Sequence, residues 1–324
     1  MKSSFHLNSG YEMPAVGLGT WQSKPSEVEN AVTVALQNGY RHIDGAAVYG
    51  NEQEVGRGIK AAGLPRDQFF VTSKLWNTHH RPEMVEKAIA KTLADLQLDY
   101  IDLYLIHWPV SFVPSENVFP CDPVTDEFLL DSEVSIVKDT WPALEKLVAD
   151  GKVRSIGVSN FNQEKLDELL KNCKIPPAVN QIEAHAYLQQ PDLLAYCTSK
   201  SVVVTAYSPL GNNIYNLPRV VDDPVVIDIA RKLGRDPAQV LVSWAIQRGT
   251  VVLPKSVTPS RIISNLVTFD LSQEDFDKIS SLEKHQRMNF PVRWGYDIFG
   301  EIGQQEAQIR AKKMAAERVA ARKN

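Results

Sequence analysis

Asp44, Tyr49, Lys74 and His107 stand at or just past the ends of three successive apolar runs. A carboxylate, a phenol, an amine and an imidazole gathered at one place can move a proton to or from a substrate oxygen. A carboxylate beside an ammonium in a semi-buried pocket stabilises both charges, and the remaining positive field favours a phenolate over a phenol nearby. The sequence therefore predicts that Lys74 draws the Tyr49 pKa down from its usual value of about 10. His107 would hydrogen-bond the reacting oxygen and orient it. Taken singly, each residue reads as a cap or rim residue of a strand. Gathered on adjacent strands at the same end, the four read as chemistry.

A second group lies on later runs. GVSNF carries Ser159 and Asn160, and NQIE carries Gln181, which brings amide and hydroxyl groups to the same end. TAYSPLG places Tyr207 where its ring could stack on a planar heterocycle. LPKSVTPSR supplies Lys255, Ser256 and Arg261, two cations and a hydroxyl around the start of a helix. That combination reads as a phosphate site, or, without the rest, as a solvated basic pair.

These residues need a frame that turns strand ends toward one another. Short apolar runs occur at 16–18, 42–43, 69–72, 101–106, 153–158, 178–182, 202–206 and 251–253. Helical patterns lie between them at 26–37, 51–62, 81–96, 140–150, 163–171, 191–199, 237–247 and 260–266, the first opening on a Ser26/Glu29 capping box. Eight strands each followed by a helix predict an α/β fold, a (β/α)₈ TIM barrel, after an N-terminal hairpin turning at Asn8–Gly10. The rival doubly wound sheet needs a glycine-rich phosphate loop after its first strand. Here GLGTWQ puts Gln22 where the third glycine belongs, so the fingerprint fails.

A single domain over residues 1–324 is expected, with the barrel at about 5–294 and a basic, solvated helical tail at 295–324. Three segments exceed the barrel's needs: 112–137, 211–224 and the stretch from 286 onward. Long loops in compact domains are usually functional, and all three are expected near the barrel mouth.

Composition narrows the function. The 324 residues carry 35 basic and 39 acidic side chains, a net charge of −4, so no basic footprint for nucleic acid or membrane surface exists. No apolar run approaches membrane-spanning length, and the start MKSSFHLNSG has no hydrophobic signal segment. Cys121, Cys173 and Cys197 are widely spaced, which argues against a disulfide framework or a zinc knuckle. A cytoplasmic monomer acting on a small molecule, without metal, is expected.

GYRHIDGAAVYGNEQEVG, LDYIDLYLIHWP with GKVRSIGVSNF, and LPKSVTPSRI together resemble the signatures of the aldo-keto reductase family, in order, over about residues 5–294. The resemblance implies NADPH-dependent reduction of an aldehyde or ketone to an alcohol, with NADP+-linked oxidation as the reverse. It makes Tyr49 the general acid, Lys74 the residue that lowers its pKa, Asp44 the partner of Lys74, and His107 the group that orients the carbonyl. Ser159, Asn160 and Gln181 map onto the contacts to the nicotinamide carboxamide, with Tyr207 stacked on the ring. Thr20, Asp44, Ser208 and Leu210 also fall along the cofactor, Lys255, Ser256 and Arg261 at its 2′-phosphate, and Asn265 at adenine. Trp21, Val48, Trp76, His107, Trp108 and Trp294 map onto the substrate cup.

The chain departs from the family pattern at Ser264, where many members carry Glu, and at Gly45, where Thr, Ser or Cys is usual. Its 211–224 loop is shorter, and its tail longer, than in aldose reductases. GTWQSK, KLWNTHH and LPKSV resemble fungal and yeast-type glycerol dehydrogenases and glyceraldehyde reductases. This similarity implies small hydroxyaldehydes such as glyceraldehyde or erythrose, with xylose, galacturonate and aromatic aldehydes as further candidates. Two rival classes remain: a non-catalytic barrel that binds NADPH as a sensor or partner subunit, and a Schiff-base lyase using Lys74. The complete tetrad argues against the first, and Asp44 beside the Lys74 amine against the second.

Overall fold

The computed structural model describes residues 1–211 and 217–322. Strands β1 (Ser4–His6) and β2 (Glu12–Pro14) form the expected hairpin, with Gly10 at φ 88° in its turn. Eight parallel strands follow: β3 (Leu18–Gly19), β4 (His42–Asp44), β5 (Phe70–Leu75), β6 (Ile101–Ile106), β7 (Val153–Ser159), β8 (Val179–Glu183), β9 (Val203–Tyr207) and β10 (Val251–Val252). They pair in strict chain order, and a parallel bridge from Val16 to Val252 joins the last strand to the first. Every residue of β5 and β6 is buried, as expected for parallel strands covered on both faces. The fold is the predicted (β/α)₈ barrel.

Helices α1 (Pro25–Gln37), α2 (Glu52–Ala62), α3 (Pro82–Leu96), α4 (Trp141–Ala149), α5 (Gln163–Asn172) and α6 (Pro191–Ser199) follow the first six barrel strands. Two helices, α7 (Pro224–Leu233) and α8 (Pro237–Gln247), follow β9; α9 (Pro259–Asn265) and α10 (Gln273–Ser280) follow β10; and α11 (Gln304–Ala321) closes the described chain. Helix α1 has Lys24 at its N-cap and Pro25 in its first turn, so Ser26 lies inside the helix and the expected Ser26/Glu29 capping box does not form. Proline fixes the helical φ and lacks the N–H that a first turn would leave unpaired, so it takes over the start signal. The box that does form joins Asp236 and Gln239 at the start of α8.

Two short helices, α7 and α10, stand where the sequence reading placed none. Both carry side-chain caps, from Asp223 to Val225 N and from Ser272 to Asp275 N. The 211–224 loop therefore ends in a helix start, and its residues 212–216 lie outside the described chain. The 112–137 segment is built rather than loose: isolated antiparallel bridges join Phe112 to Leu130 and Cys121 to Phe128.

The tail corrects the expectation of a solvated helix. It is helical, but Ala307, Ala311 and Ala315 are buried along one side of α11. These small side chains let the helix approach the Val292–Trp294 turn closely, and a Cβ on Gly295 would stand 3.5 Å from the Ala311 methyl.

Candidate active site

Register places the tetrad. Gly19 pairs with Asp44, Asp44 with Thr72, and Lys74 with Leu105, so the ends of β3 to β6 line up at one mouth. His107 directly follows β6, its N–H donating to Leu75 O at 3.1 Å. Tyr49 ends a single 3₁₀ turn, Ala47–Tyr49, that closes on Gly50 at φ 67°, a left-handed conformation that glycine adopts without a Cβ clash. Lys74 Nζ donates to Asp44 Oδ1 at 2.6 Å and to Gly45 O at 2.8 Å, and it lies 3.5 Å from Tyr49 Oη. The bond to Gly45 uses the backbone alone, and a Cβ there would meet its neighbours at an ordinary 3.7 Å. Glycine in place of a hydroxyl residue therefore costs the ion pair nothing.

The Asp44–Lys74 pair is almost wholly enclosed, at 3% and 1% exposure. Burial alone would pull the Lys74 amine down, but Asp44 and then Tyr49 outweigh it, and its pKa is raised. Burial, opposed by Lys74 and aided by Asp44, holds the Tyr49 phenol above its ordinary pKa. This corrects the expectation of a lowered phenol: at 3.5 Å the ammonium softens the burial effect without reversing it. Tyr49 is therefore a protonated phenol at neutral pH. Across from it, ring centroids 5.8 Å apart, burial and then Lys74 and His80 keep His107 neutral, far below the usual imidazole range.

The amide group is arranged with less freedom than its sequence positions suggested. Gln181 Nε2 donates to Asp44 Oδ2 at 2.7 Å, so it closes the second face of the carboxylate. Ser159 Oγ donates to Gln181 O at 2.8 Å, and Asn160 Nδ2 donates to His107 O at 3.0 Å. Tyr207 Oη donates to Asn160 Oδ1 at 2.7 Å, and Thr20 Oγ1 donates to Asp44 O at 2.9 Å. These polar residues form one buried lattice that braces the tetrad. Asn160 and Ser208 adopt φ values of 65° and 52°, strained for non-glycine residues.

All of this opens on a cleft of about 1500 Å³, above the roughly 300–1,000 Å³ usual for a drug-sized ligand. Thr20, Asp44, Tyr49, His107, Ser159, Asn160, Gln181 and Tyr207 line it; Lys74 stands behind the wall. Ser208, Leu210, Lys255, Ser256, Arg261, Ser264 and Asn265 carry it onward along the later strands. Among the described residues, neither Lys255 nor Arg261 forms an ion pair, so both charges are available to a ligand. At the other end Trp21, Val48, Trp76, Trp108 and Trp294 form an aromatic cup. Trp76 and Trp294 pack edge to face, as do Trp108 and Trp294.

Several lining residues escaped the sequence reading: Phe119, Arg219, Phe290, Arg293 and Met314. All lie in segments without β or α periodicity or in the tail. Their only signal was membership of the three segments longer than a barrel needs. Trp76 Nε1 donates to Val118 O at 2.6 Å, which pins the 112–137 segment over the mouth.

The cleft suits an elongated anionic dinucleotide by its donor set. It offers two cations that form no ion pair among the described residues, with a hydroxyl, at one end, an aromatic phenol ring at Tyr207, and a proton-transfer group at the other end. Among the described residues no cluster of metal-ligating side chains occurs, and no helix is long and apolar enough to cross a membrane.

Comparison with known proteins agrees with this architecture. The aldo/keto reductase family model matches residues 15–284. Aldo-keto reductase family 1 member A1 of Cricetulus griseus is 47% identical over 90% of this chain and 93% of its own. The protein of the same name from Homo sapiens is 47% identical over 88% and 91%. The solved structure of an aldose reductase from Schistosoma japonicum superposes with a TM-score of 0.85 at 42% identity, covering 92% of this chain and 98% of that one. With its barrel, its braced tetrad and these relatives, the chain belongs to the aldo/keto reductase family of oxidoreductases.

Proposed function

We propose that the protein reduces aldehydes and ketones to alcohols with NADPH, with Tyr49 as the proton donor. The observation that carries this reading is the enclosed Asp44–Lys74 pair directly behind Tyr49, faced by a neutral His107, on the wall of a cleft large enough for a dinucleotide and a substrate. Bound NADPH would supply a hydride to the carbonyl carbon. Tyr49 would give its proton to the carbonyl oxygen as charge develops there, and Lys74, held protonated, would stabilise the tyrosinate left behind. His107, neutral and wedged between Tyr49 and Trp76, would hydrogen-bond the same oxygen and fix its direction.

Lys255, Ser256 and Arg261 would hold the 2′-phosphate, with Asn265 toward adenine. Ser159, Asn160 and Tyr207 would frame the nicotinamide, while Thr20, Ser208 and Leu210 would flank the cofactor. Gln181 and Asp44 would join this frame through their mutual bond. Trp21, Val48, Trp76, Trp108 and Trp294 would exclude water from the reacting centre. Small hydroxyaldehydes such as glyceraldehyde and erythrose are the first substrates expected. Xylose, galacturonate and aromatic aldehydes come next, and polyol oxidation with NADP+ is the reverse reaction. The raised pKa of Lys74 speaks against a Schiff-base role, because that chemistry needs a free amine.

We further read residues 1–324 as one domain and expect a cytoplasmic monomer, to be checked by sedimentation. The direct test of function is loss of NADPH absorbance over a panel of these carbonyl compounds. Turnover supports the reading. Tight NADPH binding with no turnover on any of them would move it to a cofactor sensor.

A further inference from the structure

Helix α11 does more than cover the barrel. Its start is fixed by Asp297, whose carboxylate accepts from the N–H groups of Gly300, Glu301, Ile302 and Gly303 at 2.7–3.2 Å. Gln304 ties the same turn together, accepting from Asp297 N at 3.0 Å and donating to Gly295 O at 2.8 Å. From there the helix crosses the Val292–Trp294 turn and ends beside the 112–137 segment. Arg318 Nε and Arg322 Nη2 reach the two carboxylate oxygens of Asp126, and Arg318 Nη2 adds a bond to Asp126 O at 3.0 Å.

Asp126 is built to receive them. It is 5% exposed and sits at φ 60° in the turn between the bridged residues Cys121 and Phe128. Its carboxyl is held below its ordinary pKa, first by the Arg318 hydrogen bond. The turn carries Phe119 and Phe128 on its two arms. Phe119 packs on Trp76, and Phe128 packs on Trp294. Arg293 lies over both phenyl rings, 5.2 Å from each. Helix α11 itself sends Met314 to the cleft wall. The bonds from the two arginines therefore join the two walls of the substrate end, one from the 112–137 segment and one from the chain after β10.

We propose that the Asp126–Arg318/Arg322 latch is a specificity-determining device that sets the width of the aromatic cup. None of the three residues lines the cleft, so the latch acts through the positions of Phe119, Phe128 and Trp294. A substrate large enough to touch Phe119 or Trp294, the two of these rings that line the cleft, reads the latch, and a three-carbon aldehyde held by Tyr49 and His107 does not. The proposal rests on the carbonyl-reductase reading of the same cleft.

The test compares the full-length protein with Asp126→Asn and with the double variant Arg318→Ala/Arg322→Ala. KM and kcat are measured for an aromatic aldehyde and for glyceraldehyde, with the NADPH Kd in parallel. Opening the latch should raise KM for the aromatic aldehyde about fivefold, the range of a single partly exposed charged contact. The glyceraldehyde KM and the NADPH Kd should stay within about twofold of wild type.

Wild-type KM for both aldehydes in both variants would overturn the proposal. Equal losses for both aldehydes together with weakened NADPH binding would also overturn it, because the latch would then serve only folding. If the wild type turns over neither aldehyde, the carbonyl reading fails instead. The latch is then read from the Kd of the aromatic aldehyde by tryptophan quenching, with the same ordering expected and an unchanged Kd overturning it.

Discussion

Gln181 Nε2 donates to Asp44 Oδ2 at 2.7 Å, joining residues 137 positions apart across the barrel mouth. The other oxygen of Asp44 takes the Lys74 ammonium at 2.6 Å, so each carboxylate oxygen has its own donor. A buried charge is tolerable only when paired and hydrogen-bonded on its remaining lone pairs. Gln181 is thus a structural partner of the charged pair as well as a wall of the cleft.

Replacing it by a residue of similar size without a donor, Gln181→Leu, leaves Asp44 Oδ2 buried and unsatisfied. The expected loss is about 1–3 kcal/mol in unfolding free energy, read from the urea midpoint. An unchanged midpoint would mean that Asp44 recruits another donor at no cost.

The cation pair at the far end of the cleft has a different signature. Lys255 and Arg261 are exposed and, among the described residues, form no ion pair, so their loss should barely affect stability. Lys255→Ala/Arg261→Ala should weaken NADPH about 10- to 100-fold, through lost charge-assisted bonds to the extra phosphate, and leave NADH unchanged. Equal weakening of both cofactors would place the phosphate elsewhere.

Stability should fall on the acid side of neutrality. Burial holds His42 at about 4 and His80 at about 3, and His107 well below its ordinary value. Below about 6.5 the unfolded chain takes up protons that the folded chain refuses, so ν is larger in the unfolded state and stability drops as pH falls toward the folded values. Each of these three histidines contributes a slope of up to about 1.4 kcal/mol per pH unit. Urea midpoints should therefore decline steadily from about pH 7 to about pH 5, and less steeply in His80→Gln. A flat profile would show that these imidazoles are not buried in solution.

Activity should show the opposite limb. Tyr49 acts while protonated, and its pKa lies above the ordinary phenol value. The reduction rate at saturating cofactor should hold level through neutral pH and fall only in the alkaline range. A fall near neutrality would mean that bound cofactor restores the lowered phenol that the sequence alone suggested.

How much of this was legible before folding differs by element. The strand ends near Asp44, Lys74 and His107 could be read because each short apolar run gives way there to a polar side chain. Tyr49 was legible as part of the turn after Asp44. The Ser26/Glu29 box was misread although Pro25, a competing start signal one residue earlier, was already visible in the sequence. Helices α7 and α10 were passed over because a pattern of one helix per strand leaves no place for a second one after β9 and β10. Length is not the reason, since α6 and α9 have 9 and 7 residues and were read. The Tyr49 pKa was misjudged because sequence reveals neighbouring charges but not the depth of burial. The tail was misjudged for a related reason. Its buried stripe is Ala307, Ala311 and Ala315, small residues that add little hydrophobic signal and reveal themselves only by what they approach. Likewise nothing local joins Asp126 to Arg318, which lie 192 positions apart.

The most direct test of the account is Tyr49→Phe beside the wild type, assayed with NADPH and glyceraldehyde, with NADPH binding measured on both proteins. The account expects turnover in the wild type, a loss of about 100-fold or more in the variant, and the same NADPH Kd in each. Equal turnover in the two proteins would contradict it, because the proton would then come from a group other than Tyr49.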